Sequence, residues 1–229
     1  MDLVQHKKTG FWYPEGSGSQ NAIKEAYYLK DYGGLPSQAP FKDAVVMDCG
    51  AHIGTFSRRA LEEGAAKVVC YEPFPFSAEC VRKNLPDAEV LEAALVADNA
   101  PEILEFYYRP SRLEGATLKH KGANHKRWDF QTIEVKTLNF WDELDRVQPT
   151  VLKMDIEGAE WDIFTEKALP SSVKALFIEV HQLYSKGAKA GLDFVEKVYP
   201  GSVEIDHTEL IPFKNKGNVT NVSGLFVRE

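Results

Sequence analysis

The sequence predicts an α/β protein built on an open, mostly parallel sheet with helices on both faces. Three observations carry this. Strand candidates at 44–48, 67–71 and 89–94 alternate with stretches of helical spacing at 55–63 and 76–84, the rhythm of βαβ units. After an interruption the rhythm resumes, with a strand at 150–155, a helix from about 159 to 168, a strand at 174–180 and a helix at about 188–198. The chain then closes on two strands, Val203–Asp206 and Ser223–Val227, with Asn215, Gly217 and Asn218 as turn residues between them. The expectation is a mostly parallel sheet with an antiparallel pair at its end.

Each element has its own warrant. Residues 9–40 are rich in Gly, Ser, Pro and aromatics, and within them Asn21–Lys30 has the spacing of a short helix through Ala22, Ala26, Tyr27 and Leu29. Phe11, Trp12, Tyr13, Tyr27 and Tyr28 either lid a site or pack this segment onto the sheet. Ala44-Val45-Val46-Met47 is a buried strand; it leads through Asp48-Cys49-Gly50-Ala51-His52-Ile53-Gly54 into a helix starting at Thr55. Pro86 ends the helix at 76–84. Between the two halves, Glu102–Tyr108 and Gln131–Thr137 read as a β-hairpin-like insert, at about 102–137, around a basic segment at 109–127. A single domain over 1–229 is expected, with 1–40 on the substrate side and a catalytic core from 44 onward.

Composition narrows the function. A net charge of −7 with 44% hydrophobic and 27% charged residues describes a globular chain and argues against broad nucleic-acid or membrane-surface binding. No apolar run approaches the roughly 20 residues of a membrane span. Cys49, Cys70 and Cys80 are few and lack CxxC spacing, so a reduced, cytoplasmic protein is expected. The sequons at Asn218 and Asn221 read as chance matches.

The chemistry concentrates at strand ends. A strand, a glycine turn and a helix build the nucleotide crevice of an open α/β sheet. Gly50 lets backbone approach a ligand and Gly54 lets helix pack on strand. Asp48 discriminates: a carboxylate there repels pyrophosphate and suits a cationic ligand such as S-adenosylmethionine. Glu72, 24 residues beyond Asp48, ends the next strand, where a carboxylate accepts both ribose hydroxyls. Val151–Glu160 runs an apolar strand into Asp155, Glu157 and Glu160. Glu160 falls in the first turn of the following helix, where the dipole favours negative charge. His181 ends the strand Phe177–Val180 and, with a near-neutral pKa, suits proton removal from a hydroxyl.

Two stretches together, Val46–Gly54 and Lys153-Met154-Asp155-Ile156-Glu157-Gly158-Ala159-Glu160, resemble the FkbM family of S-adenosylmethionine-dependent methyltransferases. Glu72-Pro73, Gly115–Leu118 and Val135–Leu138 share the likeness, which covers roughly residues 44–185. It implies a seven-stranded, Rossmann-like class I methyltransferase fold and O-methylation of hydroxyls on sugars, glycans or natural products, with S-adenosyl-L-homocysteine as product. His52 is a departure, since many methyltransferases carry a third glycine there. The expected cofactor set is Asp48, Gly50, His52, Gly54, Thr55, Glu72, Pro73, Ala94 and Asp155. The expected catalytic set is Asp155, His181 and Glu157, with Arg112, Lys119, Glu157 and Glu160 toward the acceptor.

Alternatives stay open at this level. Asp155, Glu157, Glu179 and His181 offer ligand types for a divalent ion but no diagnostic spacing, so no metal is expected. The basic insert, with Arg109, Arg112, Lys119, Lys121, Lys126 and Arg127, is either a flap for an anionic acceptor or a solvated loop. Two other functions compete with methyl transfer. One is a nicotinamide-dependent oxidoreductase, which Asp48 opposes. The other is a non-catalytic, RNA-binding protein on a methyltransferase scaffold. Acceptor identity and oligomeric state are not written in the sequence.

Overall fold

The computed structural model describes residues 1–23, 40–118, 129–181, 187–210 and 221–228. In chain order the elements are β1 (Leu3–Gln5), β2 (Trp12–Pro14), α1 (Gln20–Ala22), β3 (Val45–Cys49), α2 (Thr55–Glu62), β4 (Lys67–Tyr71), α3 (Pro75–Asn84), β5 (Glu89–Leu91) and β6 (Ala94–Val96). Then follow β7 (Ile103–Arg109), β8 (Arg112–Thr117), β9 (Gln131–Asn139), α4 (Phe140–Val147), β10 (Val151–Met154), α5 (Glu160–Ile163), β11 (Ala175–Val180), α6 (Gly187–Val198), β12 (Val203–Leu210) and β13 (Asn221–Val227). The main sheet has seven strands in the order β12-β13-β11-β10-β3-β4-β5. Strands β5, β4, β3, β10 and β11 run parallel, and β13 pairs antiparallel with both β11 and β12. This is the expected sheet with its antiparallel end, and the chain order reverses between β3 and β10, where an open α/β sheet leaves its crevice.

Side-chain alternation assigns the two faces. Val46, Val68, Val151, Ala175 and Phe177 point to one side and pack with Phe41, Phe56 and Ala60 of α2, and Val81 of α3. Phe177 stacks on Phe41 at 5.5 Å between ring centroids and meets the Phe56 ring edge-on at 5.0 Å. Met47, Val69, Leu152, Met154, Leu176 and Ile178 point to the other side, against Phe140 and Leu144 of α4 and Phe194, Val195 and Val198 of α6. Burial on both faces explains why these strands read as unbroken apolar runs.

Three points differ from the sequence reading. The run at 89–94 is two strands: β5 completes the main sheet, while β6 joins a second sheet ordered β6-β9-β7-β8. There β7 and β9 pair antiparallel, and β8 adds to the free side of β7. The helix expected at 159–168 is only the turn Glu160–Ile163. Helix α4 was not expected at all. Its start signal is Asn139, whose side chain accepts from the N–H groups of Trp141 and Asp142. Of the helix expected over Asn21–Lys30, only residues 21–23 are described; 24–30 lie outside the described residues.

The N-terminal strands form a small antiparallel pair that docks on α3. Asn84 makes the joint: it accepts from Trp12 N–H at 2.7 Å and donates to the carbonyls of Trp12 (2.9 Å) and Ile53 (2.8 Å). Phe11, Ile23, Ile53 and Cys80 bury together beneath it. The aromatics Phe11, Trp12 and Tyr13 therefore pack this segment down, beside the turn at 50–54. No helix among the described residues is long and apolar enough to cross a membrane.

Candidate active site

The turn after β3 is shaped by its glycines and by the neighbouring strand. Gly50 N–H and Ala51 N–H both donate to Tyr71 O at 3.0 Å. Gly50 has φ +81°, and a Cβ there would lie 1.9 Å from Asp155 O. Only glycine lets the turn after β3 touch the end of β10. Gly54, at φ +82°, precedes α2, and a Cβ there would meet Leu85 Cδ1 at 2.9 Å. His52 also adopts a positive φ, +53°. Its Nε2 is hydrogen-bonded to Ser19 Oγ at 2.8 Å, so the N-terminal segment grips this turn from outside. Burial, aided by Lys153, pushes the His52 pKa down to about 4, which makes it a neutral imidazole.

Asp48 does not face the crevice. Its side chain has no exposed surface and lies beneath the turn, where Ser57 Oγ donates to Oδ2 at 2.6 Å and Lys153 Nζ stands 3.3 Å from Oδ1. The cause is register: Asp48 and Lys153 are paired residues on adjacent parallel strands, so their side chains share the α2 face. Lys153 Nζ also donates to Gly50 O at 2.6 Å and lies 3.7 Å from Asp155 Oδ2. Burial opposes this ammonium, but Asp48 and Asp155 outweigh it and hold the pKa above the usual lysine range. Lys153 thus ties β3, the turn and β10 into one unit. Sequence reasoning missed it, although a lone lysine within a fully buried strand was a visible signal.

Glu72 ends β4 and is almost fully buried. Oε2 accepts from His52 N–H at 2.8 Å and Oε1 from Phe74 N–H at 2.9 Å. Burial nevertheless pushes its pKa up to about 7 against these two donors. Of the other expected cofactor residues, Thr55 is the buried first residue of α2 and Pro73 is half-buried beside Glu72. Ala94 is buried in the small sheet's cluster with Phe74, Phe106, Leu113 and Val135.

The acidic residues gather at the ends of β10 and β11. Asp155 N–H donates to Cys49 O at 3.0 Å, beside the Gly50 contact. The chain then turns through Glu157 (φ +56°) and Gly158 (φ +105°), and Thr117 Oγ1 of the small sheet donates to Glu157 O at 3.0 Å. His181 sits at the centre. Its Nδ1 is hydrogen-bonded to Glu160 Oε1 at 2.9 Å, and its Nε2 lies 3.3 Å from Glu179, 3.5 Å from Glu157 and 3.7 Å from Asp155 carboxylate oxygens. Trp161 Nε1–H donates to His181 O at 2.8 Å and fixes the strand end. Asp155 and Glu157 keep side-chain exposures of 30% and 23%, so they meet the crevice, whereas Glu160 has none.

Two side chains are placed differently from the expectation. Burial disfavours a charged imidazole, but Glu157, Glu179 and Glu160 outweigh it and hold His181 well above its usual pKa. Both ring nitrogens of His181 face carboxylates, so a carboxylate of the cluster stands at the crevice as the alternative proton acceptor. Glu160 has no surface with which to touch an acceptor; it orients the imidazole instead. Burial pushes Asp155 up to about 7, with Lys153 opposing. Arg112 is exposed in β8, across the β7–β8 pair from Arg109, while Lys119 lies outside the described residues.

This geometry agrees with what the chain is similar to. The family model described as the methyltransferase FkbM domain matches residues 48–213. No curated protein matches the sequence. Among solved structures, P. horikoshii TYW2 in complex with MeSAdo is similar at TM-score 0.48 and 11% identity, over 98% of this chain and 71% of that one. Magnesium protoporphyrin IX methyltransferase from Synechocystis PCC 6803 with bound SAM follows at TM-score 0.42 and 10% identity, over 93% and 80%. The C-terminal domain of precorrin-6Y C5,15-methyltransferase from Rhodobacter capsulatus is similar at TM-score 0.44 and 13% identity, over 85% of this chain and 85% of that one. Matched from Asp48 through both acidic strand ends, the chain belongs to the FkbM family of S-adenosylmethionine-dependent methyltransferases.

Proposed function

We propose that the protein methylates a hydroxyl oxygen of a sugar, glycan or natural product, with the acceptor seated at Asp155, Glu157 and His181. One observation supports this reading: Gly50, in the turn after β3, lies so close to Asp155 of the acidic cluster that a Cβ on it would stand 1.9 Å from Asp155 O. In it, Glu72 holds the ribose, the backbone of Gly50 to Gly54 follows the cofactor, and His52, Thr55, Pro73 and Ala94 shape its walls. Asp48 acts from beneath through Lys153. The oxygen–carbon bond forms as the carbon–sulfur bond breaks, the sulfonium leaves as neutral S-adenosylhomocysteine, and the hydroxyl proton passes to a cluster carboxylate and then to water. Holding oxygen and methyl in line supplies most of the rate. Proton acceptance adds roughly 10²–10⁴-fold. Arg112, exposed, and Arg109, half-buried across the β7–β8 pair from it, favour an acceptor bearing negative charge.

The test is methyl transfer from labelled cofactor to a panel of glycans, hydroxylated natural products and RNA. His181→Ala and Glu157→Gln are expected to lower kcat by roughly 10²–10⁴-fold, with S-adenosylhomocysteine affinity by calorimetry nearly unchanged. Equal losses in both quantities overturn the acceptor-side role, and label on RNA alone overturns the small-hydroxyl reading.

Glu72 gives a second expected result. Its folded pKa, about 7, lies above its ordinary value of 4.5. The folded state therefore holds the proton more tightly, so its contribution to stability is present below pH 4.5 and lost as pH rises toward 7. Glu72→Gln removes that loss. The variant's melting temperature is expected to exceed the native one at pH 8 by several degrees, about 1–3 kcal/mol, and to match it near pH 4.5, while cofactor affinity falls. An advantage confined to low pH would show that the buried carboxylate is stabilised as an ion.

A further inference from the structure

We infer that Asp155, Glu157 and His181 hold a divalent cation, with Glu179 beside them, and that the acceptor hydroxyl binds to it. The role of the ion in methyl transfer rests on the function proposed above; the site itself does not. One ligand atom from each of the three residues lies within 4.8 Å of the others. The separations from His181 Nε2, at 3.3, 3.5 and 3.7 Å, exceed the roughly 2.7–2.9 Å of a charge-assisted hydrogen bond. The two shorter ones match donors that share an ion, since metal–ligand bonds of about 2.0–2.2 Å leave neighbouring ligand atoms roughly 3.0–3.6 Å apart, and the one to Asp155 lies just beyond that range.

Two further observations point the same way. Metal-bound histidines usually give their second nitrogen to a carboxylate, which leaves the first aimed at the ion. Glu160 does this here, at 2.9 Å from Nδ1, and it does so fully buried. The second is an unsatisfied group: Glu160 Oε2 is buried with no hydrogen-bond partner among the described residues. A buried carboxylate oxygen left unpaired is costly, and a cation nearby offsets that cost. Carboxylate oxygens with one imidazole suit Mn²⁺ or Zn²⁺. An alcohol on such an ion is more acidic, which eases loss of its proton as the oxygen attacks.

Manganese alone, titrated into the full-length protein without cofactor or acceptor, tests the site. Electron paramagnetic resonance is expected to show one Mn²⁺ bound per chain, displaced by Zn²⁺. Glu157→Gln, in the partly exposed turn, is expected to weaken binding at least tenfold, as is His181→Gln. Glu160→Gln is expected to weaken it by roughly 10–100-fold, and Asp193→Asn on the distant face of α6 to leave it unchanged. A rise in melting temperature with Mn²⁺, absent in a folded Glu157→Gln variant, is the companion readout. No stoichiometric binding of Mn²⁺ or Zn²⁺, or binding indifferent to Glu157→Gln and His181→Gln, overturns the inference. Full methyl transfer in chelator overturns it too and leaves the hydroxyl reading standing. Metal binding by a protein that methylates no hydroxyl does the reverse.

Discussion

Lys153→Met is expected to destabilise the protein by about 3–5 kcal/mol, since it leaves the fully buried Asp48 carboxylate without its cation. For a chain of this size that is a fall in melting temperature of roughly 10 °C. Cofactor affinity is expected to fall with it, because Lys153 Nζ also clamps Gly50 O at 2.6 Å. The double variant Asp48→Asn/Lys153→Met separates the two effects. Removing the charge with its partner is expected to restore at least half the stability, while the turn remains unclamped and affinity stays low. Thermal melts of Lys153→Met, Asp48→Asn and the double variant, with and without S-adenosylhomocysteine, make the comparison. A double variant as unstable as the sum of its parts would mean that Lys153 acts by packing and not by charge.

Gly50→Ala is expected to be the most damaging single substitution. Its Cβ would stand 1.9 Å from Asp155 O, a backbone atom that cannot swing aside, and the residue sits at φ +81°. Strain and steric overlap together are expected to cost at least about 3 kcal/mol and to push β10 away from β3. Cofactor binding should be lost outright, even in any folded fraction. Gly201→Ala is the matched control: it shares a positive φ, +71°, but a Cβ there meets nothing within 4 Å. It is expected to cost only about 1 kcal/mol. Chemical denaturation of both variants checks the contrast, and equal losses would mean that the close approach to Asp155 does not matter.

Much of the fold was legible because two-sided burial writes itself as apolar runs: β3, β4, β10 and β11 each lie within a residue or two of their expected bounds. The two glycine turns and the strand-end carboxylates were legible for the same reason, since they punctuate those runs. What escaped was whatever depends on a partner far away in the chain. Asp48 looked like a ligand contact until pairing with β10 put Lys153 beside it. His181 was readable as a candidate base, but the three carboxylates around it were not. The split of 89–94 into two strands reflects which sheet each half meets, and no local propensity records that. Helix α4 was missed through an unread local signal, the Asn139 cap. The basic stretch hid β8 because edge strands tolerate charge and need no alternation.

The close approach of Gly50 to Asp155 has a consequence for synthesis. The two residues lie 105 positions apart, and β3 has no partner on its β10 side until that later strand exists. A chain leaving the ribosome N-terminus first can form the units β3–α2–β4 and α3–β5, but not the crevice. The turn at 50–54 remains without its floor until β10 has emerged, and His181 joins only after β11. The crevice between β3 and β10 is therefore a structure that only the nearly finished chain presents.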